Sequence, residues 1–491
     1  MNKPDYTDRA GNPIITGTFT ADPSAHVWPT EPDRLYLYPS TDVFPAVGCD
    51  RMDRYHVFST DNMADWIDHG EILRRDDLPE DTWGAHYPDS YFMWAPDAAY
   101  NEHCPGGKGP YFYYFPHRTG GKGQRNGGWM VGVAWSESPC AGFKDHEVVM
   151  LTDKNGSPVG GYIDPCVFRD GDDYYMVIGG GQECRIAKMD PNMTQLAEDY
   201  VILTQNNAHQ TDSPVYNKIP YYHEGPWMFT RVNDFGKKIY YLMYPGAVGG
   251  KGDDMLYAVG DNPYGPWEYK GSFLKPTGTG DTSHGSIVEF KGRWYVFYHN
   301  AAISGAGSLR SVCADELFWT PEGDILPVEQ TETGIKAVGP RVSAGTPGLE
   351  VKFHELTGSA DNSRYTEKTV YPVTAANCKV VNADLLDGLV HNMQNGGAYI
   401  EFSAVDGGRG GKALLTVVYA SEGGAAAKAD TGGDPTGDGY FLKMSATGSW
   451  TDASGRAGCI IDLLPGKGNV VRLTGGMGGY NTKELVVALE K

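Results

Sequence analysis

Thr282–Asn300, TSHGSIVEFKGRWYVFYHN, places a short polar motif, SHGS from Ser283, ahead of an aromatic run, RWYVFYHN from Arg293. Four more runs of this kind occur: RLYLYPS from Arg34, PYFYYFP from Pro110, DYYMVIGG from Asp173 and KIYYLMYPG from Lys238. Each reads as a short strand, because aromatic and β-branched side chains favour a pleated, half-buried surface. Their starts lie roughly 55 to 75 residues apart, a period that points to a solenoid or a propeller. A second motif keeps step, about 10 to 16 residues ahead of each aromatic run: ADPS at Ala21, WAPD at Trp94, IDP at Ile163, HEGP at His223 and SHGS at Ser283. Further strand signals follow in YHVFSTDNMADW, VGVAWSESPCAGF, LYAVGDNPYGPW and SVCADELFW. Each unit therefore reads as three or four antiparallel strands, the motif on the first and the aromatic run on the second.

Five such sheets set radially make an all-β, five-bladed β-propeller over residues 1–342. The first strand of each blade lines the axis, so the five motifs converge at one end of a central channel. RVSAGTPGLE, from Arg341, reads as a linker. Beyond it tryptophan almost vanishes (Trp450 alone remains), and AYIEFSAV, ALLTVVYAS and NVVRLTGG give alternating strands. Residues 350–491 are expected to form a jelly-roll-like β-sandwich.

Composition agrees. In 491 residues, 65 glycines, 31 prolines and 31 tyrosines suit short strands and tight turns. A net charge of −21 argues against nucleic acid or anionic membrane surfaces as partners. No apolar stretch is long enough to span a bilayer, and MNKPDYTDRAGNP lacks an apolar signal core. The expected location is cytoplasmic, or outside the cytoplasm if a leader has been removed. Eight scattered cysteines form no C-x-x-C pair, so reduced thiols rather than zinc are expected.

Four of the five motifs carry an ionisable residue in an apolar frame: Asp22, Asp164, Glu224 and His284. The second carries Trp94 and Asp97. Any one of these could simply cap a turn. Three acids at one phase of a repeat, on strands that meet at an axis, are harder to explain that way. Like charges crowded together push at least one pKa up. Acid–base cleavage of a glycoside needs that split: one carboxylic acid to protonate the leaving oxygen, one carboxylate to activate water. Trp94, Trp28, Phe44 and Trp83 are candidates to stack on a sugar ring.

The ordered set TADPS, WAPD, YIDPCVF, YHEGPWMF and TSHGSIVEFKGRWYVFYH resembles the family 43 glycoside hydrolases over about residues 10 to 340. The resemblance implies an inverting mechanism, with Asp22 as general base, Glu224 as general acid and Asp164 as the carboxylate that orients the acid and raises its pKa. It also implies that Arg310, in SLRSVCADELFW, contacts sugar and the tuning aspartate, and that His284 borders an axial calcium or water. Expected substrates are xylo-oligosaccharides, with exo release of β-D-xylose. The alternatives are α-L-arabinofuranose removal from arabinoxylan and a non-catalytic glycan-binding propeller. The C-terminal stretch resembles a family 6 carbohydrate-binding module. It reads GGYNTKELVV where that family commonly has N-x-D, which favours a structural role over sugar binding.

Overall fold

The computed structural model describes residues 10–43, 52–79, 92–118, 128–181, 183–204, 219–248, 252–276, 279, 282–305, 307–342, 346, 365–393, 397–434 and 439–490. Two compact units emerge. One comprises Met1–Ile14 with Thr20–Glu350, the other Ile15–Phe19 with Val351–Lys491. Strands dominate both, and no helix among the described residues is long and apolar enough to cross a membrane.

In the first unit the repeat falls on five consecutive antiparallel sheets. Their inner strands are β1 (Phe19–Val27), β2 (Asp97–Tyr100), β3 (Ile163–Asp170), β4 (Trp227–Val232) and β5 (Ser286–Phe290). The aromatic runs are the second strands: Leu35–Asp42, Tyr111–Arg118, Asp173–Gly180, Lys238–Gly246 and Arg293–Asn300. Each sits between two neighbours in its sheet, which is why it reads apolar on both faces. Tyr38, Tyr113, Tyr114, Tyr241, Tyr244 and Tyr295 are fully buried there. The last sheet has three of these strands. Residues ahead of β1 run beside its outer strand, Ser311–Leu317. There the Ile14 amide donates to the Val312 carbonyl (2.7 Å), and the Ala314 amide donates to the Asn12 side chain (3.0 Å). The start of the chain thus closes the propeller against its end.

The inner strands are stitched into a ring at one level. Two residues past Asp22, Ala95, Asp164, Gly225 and His284 respectively, Ser24, Asp97, Cys166, Trp227 and Ser286 hold equivalent places. Ser24 Oγ donates to Asp97 Oδ1 (2.6 Å), and the Val167 amide donates to Asp97 Oδ2 (2.5 Å). The Met228 amide reaches Cys166 Sγ (3.4 Å), Trp227 Nε1 donates to the Ile287 carbonyl (3.0 Å), and the Ala25 amide donates to Ser286 Oγ (3.1 Å). Each blade therefore satisfies a polar group of the next, as buried polar groups require. Asp97 also accepts from His26 Nε2 (2.7 Å), so this acid belongs to the ring and not to the converging set.

The second unit stacks two antiparallel sheets. One orders Asp384–Leu386, Leu389–Met393, Tyr480–Glu490, Gly411–Ala420 and Gly455–Leu463, with Tyr365–Pro372 also on Tyr480–Glu490. The other orders Cys378–Val381, Tyr399–Val405, Asn469–Gly478, Ala425–Thr431 and Tyr440–Met444. Alternate residues of both, among them Ile400, Phe402, Leu415, Val417, Leu473 and Leu485, share one core, the arrangement of a β-sandwich. Most of the expected linker lies outside the described residues. Its first residues are anchored: Arg341 Nε and the Val342 amide both donate to Asp65.

Candidate active site

Three of the five motifs share one backbone conformation just before their proline. Asp22, Asp164 and Gly225 have φ of +50°, +55° and +56°. A left-handed residue bearing a Cβ costs of order 1–3 kcal/mol and survives where the surrounding structure imposes it. The first and third blades carry a carboxylate at this place. The fourth has a glycine there, where a Cβ would crowd His284 Nδ1 and Pro245 Cδ at 3.1 Å. Its acid stands one residue earlier, as Glu224.

Asp22 is buried and its oxygens are occupied. Ser40 Oγ donates to Oδ2 (2.5 Å) and Arg310 Nη1 to Oδ1 (3.2 Å). Burial pushes its pKa up, but Arg310, His284, His299 and Ser40 outweigh this and hold it at about 2. The two imidazoles contribute least at neutral pH. Burial drives both toward the neutral form, His299 to about 3 with Arg310 assisting. His299 Nδ1 accepts the Asp22 amide (3.0 Å) and Nε2 donates to the Thr282 carbonyl (2.9 Å), which fixes a neutral tautomer. The Arg310 charge and the Ser40 hydroxyl therefore carry the shift.

Arg310 is buried and clamped. Nε and Nη2 fork onto Asp42 (2.9 and 2.8 Å), and Nη1 also donates to Thr282 Oγ1 (2.8 Å). This two-pronged geometry suits guanidinium and not ammonium. The same Asp42 accepts the Arg310 amide (2.8 Å).

Asp164 and Glu224 form the opposite case. Asp164 is buried and accepts the Gly225 amide at Oδ2 (3.0 Å). Burial raises its pKa well above the usual range, and the neighbouring Glu224 and Asp22 raise it further. Burial also raises Glu224, against the pull of the His223 and Arg310 cations. Two carboxyls this close titrate as a pair, and the pair keeps a proton beyond the ordinary carboxylate range. Among the described residues, no hydrogen bond reaches the Glu224 carboxyl.

The other expected site residues separate. Trp94 is half-buried at the entrance to β2, its ring 4.6 Å from Trp129. Phe44 and Trp83 lie outside the described residues. Trp28 is a correction, because it is not with the acids. It is six residues past Asp22, about 20 Å along an extended strand, stacked on His26 with Nε1 donating to Tyr38. There it lines a separate cavity of about 350 Å³, walled by later residues of the inner strands and by Tyr100, Tyr174 and Trp294. His284 sits with Nδ1 3.8 Å from Asp22 Oδ1. No group of three His, Cys, Asp or Glu side chains among the described residues is placed to hold a metal. A hard cation takes six or more oxygens, and one imidazole does not make its cage, so no step below runs through calcium. Asp42, Ser40, Thr282, His299 and the His223–Asp253 pair were not singled out from the sequence. Asp42 ends the second strand of its blade and His299 is the last residue but one of its own, and polar ends on otherwise aromatic runs were the available signal.

One carboxylate held ionised beside a carboxyl pair whose pKa values burial raises is the charge arrangement that acid–base cleavage of a glycoside needs. The family model for glycosyl hydrolases of family 43 matches residues 10–325, and the chain belongs to that family. It is 34% identical over 365 residues to xylosidase/arabinosidase 43A of Humicola insolens, covering 64% of this chain and 98% of that one. It is 31% identical to a xylosidase/arabinosidase of Bacteroides ovatus, covering 64% and 97%. A family 43 β-xylosidase/α-arabinofuranosidase from a compost metagenome, solved with xylotriose, superposes with TM-score 0.50 at 30% identity, covering 65% and 97%. An arabinoxylan arabinofuranohydrolase from Bacillus subtilis, at 22% identity, shares the fold across 99% of this chain with TM-score 0.51.

Proposed function

We propose that the enzyme releases β-D-xylose from the ends of xylo-oligosaccharides with inversion, and accepts α-L-arabinofuranosides at the same site. In this reading Asp22 is the general base, Glu224 the general acid and Asp164 the residue that keeps the acid protonated. The observation that carries it is the contrast in partners. Asp22 has a hydroxyl and a guanidinium holding it anionic, whereas burial raises the pKa of Glu224 and no hydrogen bond among the described residues competes for its carboxyl.

Water attacks the anomeric carbon as its proton passes to Asp22. The glycosidic C–O bond breaks, and the leaving oxygen takes the Glu224 proton. Arg310 neutralises Asp22 without protonating it, and the Asp42 fork stops the guanidinium from swinging away. The xylose and arabinofuranose activities named for the relatives support the sugar assignment.

Proton NMR of the first product from a β-xyloside tests the reading. The α-anomer is expected, and first-formed β-xylose would overturn it. Parallel rates on nitrophenyl β-xyloside and α-L-arabinofuranoside rank the two sugars.

A further inference from the structure

Glu224 is held from both sides, while no hydrogen bond among the described residues reaches its own carboxyl. Before it, the His223 amide donates to the Pro245 carbonyl (3.0 Å) and Tyr222 bridges to Gly246. After it, the Gly225 amide donates to Asp164. The His223 imidazole is also fixed, with Nδ1 2.7 Å from Asp253 Oδ2. Asp253 is in turn tied to the fifth motif, where Ser283 Oγ donates to its carbonyl (2.7 Å). The Asp253 side chain is 11% exposed and His223 48% exposed, so the pair is rooted in protein at one end and open to solvent at the other.

We propose that the His223–Asp253 pair is a positioning element for Glu224, holding a fixed cation beside the acid; this rests on Glu224 being the general acid. An inverting acid must become a carboxylate at each turnover, and a neighbouring cation favours that form. A free imidazole is mostly neutral near pH 7. The hydrogen bond to Asp253 raises His223 and keeps it charged to higher pH. The groups acting on Glu224 come from several elements. Asp22 on β1, Asp164 on β3 and Asp253 oppose its ionisation, while His223 and Arg310 favour it. The Tyr222 phenol and the His284 imidazole nearby are neutral. His223 is the only one of the cations that can itself be switched off by pH.

The test is the basic limb of kcat/KM against pH on xylobiose. His223→Gln removes the cation, so Glu224 holds its proton longer and the limb moves up. Solvent screening at a half-exposed group limits the shift to about half a pH unit. Adding Asp253→Asn to that variant removes the anion left beside Glu224 and moves the limb back down. His223→Arg, charged throughout, leaves it at or below the wild-type position. Activity on an activated aryl xyloside at acidic pH checks that each variant is folded. A limb that stays put or falls in His223→Gln overturns the proposal. Glu224→Gln run alongside separates the two failures: if it keeps the basic limb, the acid assignment falls, and if it loses the limb while His223→Gln leaves it in place, only this proposal does.

Discussion

The five inner strands build two unlike places from one repeat. Where they begin, the channel holds Asp22, Asp164, Glu224, Arg310 and His284. Past the ring of Ser24, Asp97, Cys166, Trp227 and Ser286, the same strands wall an aromatic cavity with Trp28, Trp227 and Phe229. The difference lies in how polar groups are satisfied. The ring pairs each buried polar group with a neighbouring blade and leaves nothing to react. The acid end has left-handed aspartates, a clamped guanidinium and a carboxyl without a hydrogen bond among the described residues. One end of the strands contributes to folding, and the other retains a charge arrangement that costs stability.

Arg310→Met should have the largest effect, because it leaves the carboxylates of Asp42 and Asp22 buried without their cation. Breaking such a pair costs about 3–5 kcal/mol. Chemical denaturation should report a loss of that size, with turnover abolished in whatever remains folded. Trp28→Ala makes the contrast from the other end. Truncating a buried tryptophan costs about 3–5 kcal/mol, yet kcat per folded molecule should be unchanged. A matching fall in kcat would show that the two ends are not separate.

Asp164→Asn sharpens the picture within the acid end. Without the second carboxyl, Glu224 gives up its proton more readily, so the basic limb of kcat/KM should move down by about one pH unit. An unmoved limb would make Asp164 structural. The smallest effect is expected from chelation. With one imidazole and no ligand cluster among the described residues, exhaustive EDTA treatment should leave kcat within about twofold, a change worth under 0.5 kcal/mol.

The sequence shows the blades clearly because each second strand is buried on both faces, so its tyrosines and phenylalanines stand out as a run. The acids are legible for a related reason: Asp22 and Asp164 recur at one phase, each before a proline in an apolar frame, and Glu224 stands one residue earlier in its own motif. Asp42 and Ser40 were not, since what makes them part of the site is the meeting of residue 310 with residues 22 and 42, a contact across nearly the whole propeller. No local pattern encodes that closure. Trp28 misled for a simple geometric reason. Proximity to Asp22 in sequence is distance along an extended strand, and six residues carry the side chain past the ring. Asp97 stands apart from the acid set although its motif matches the others, because its two oxygens are already taken by Ser24, His26 and Val167.

The central claim is that Asp22 works as an anion and Glu224 as a proton donor. Leaving-group dependence of kcat/KM, measured for Glu224→Gln and Asp22→Asn on aryl xylosides from poor to activated, tests it most directly. Glu224→Gln should lose about a thousandfold on poor leaving groups and far less on activated ones, because an acidic phenol needs little protonation. Asp22→Asn should lose heavily and evenly across the series. Equal losses for Glu224→Gln at every leaving group, or recovery of Asp22→Asn on activated ones, would contradict the assignment.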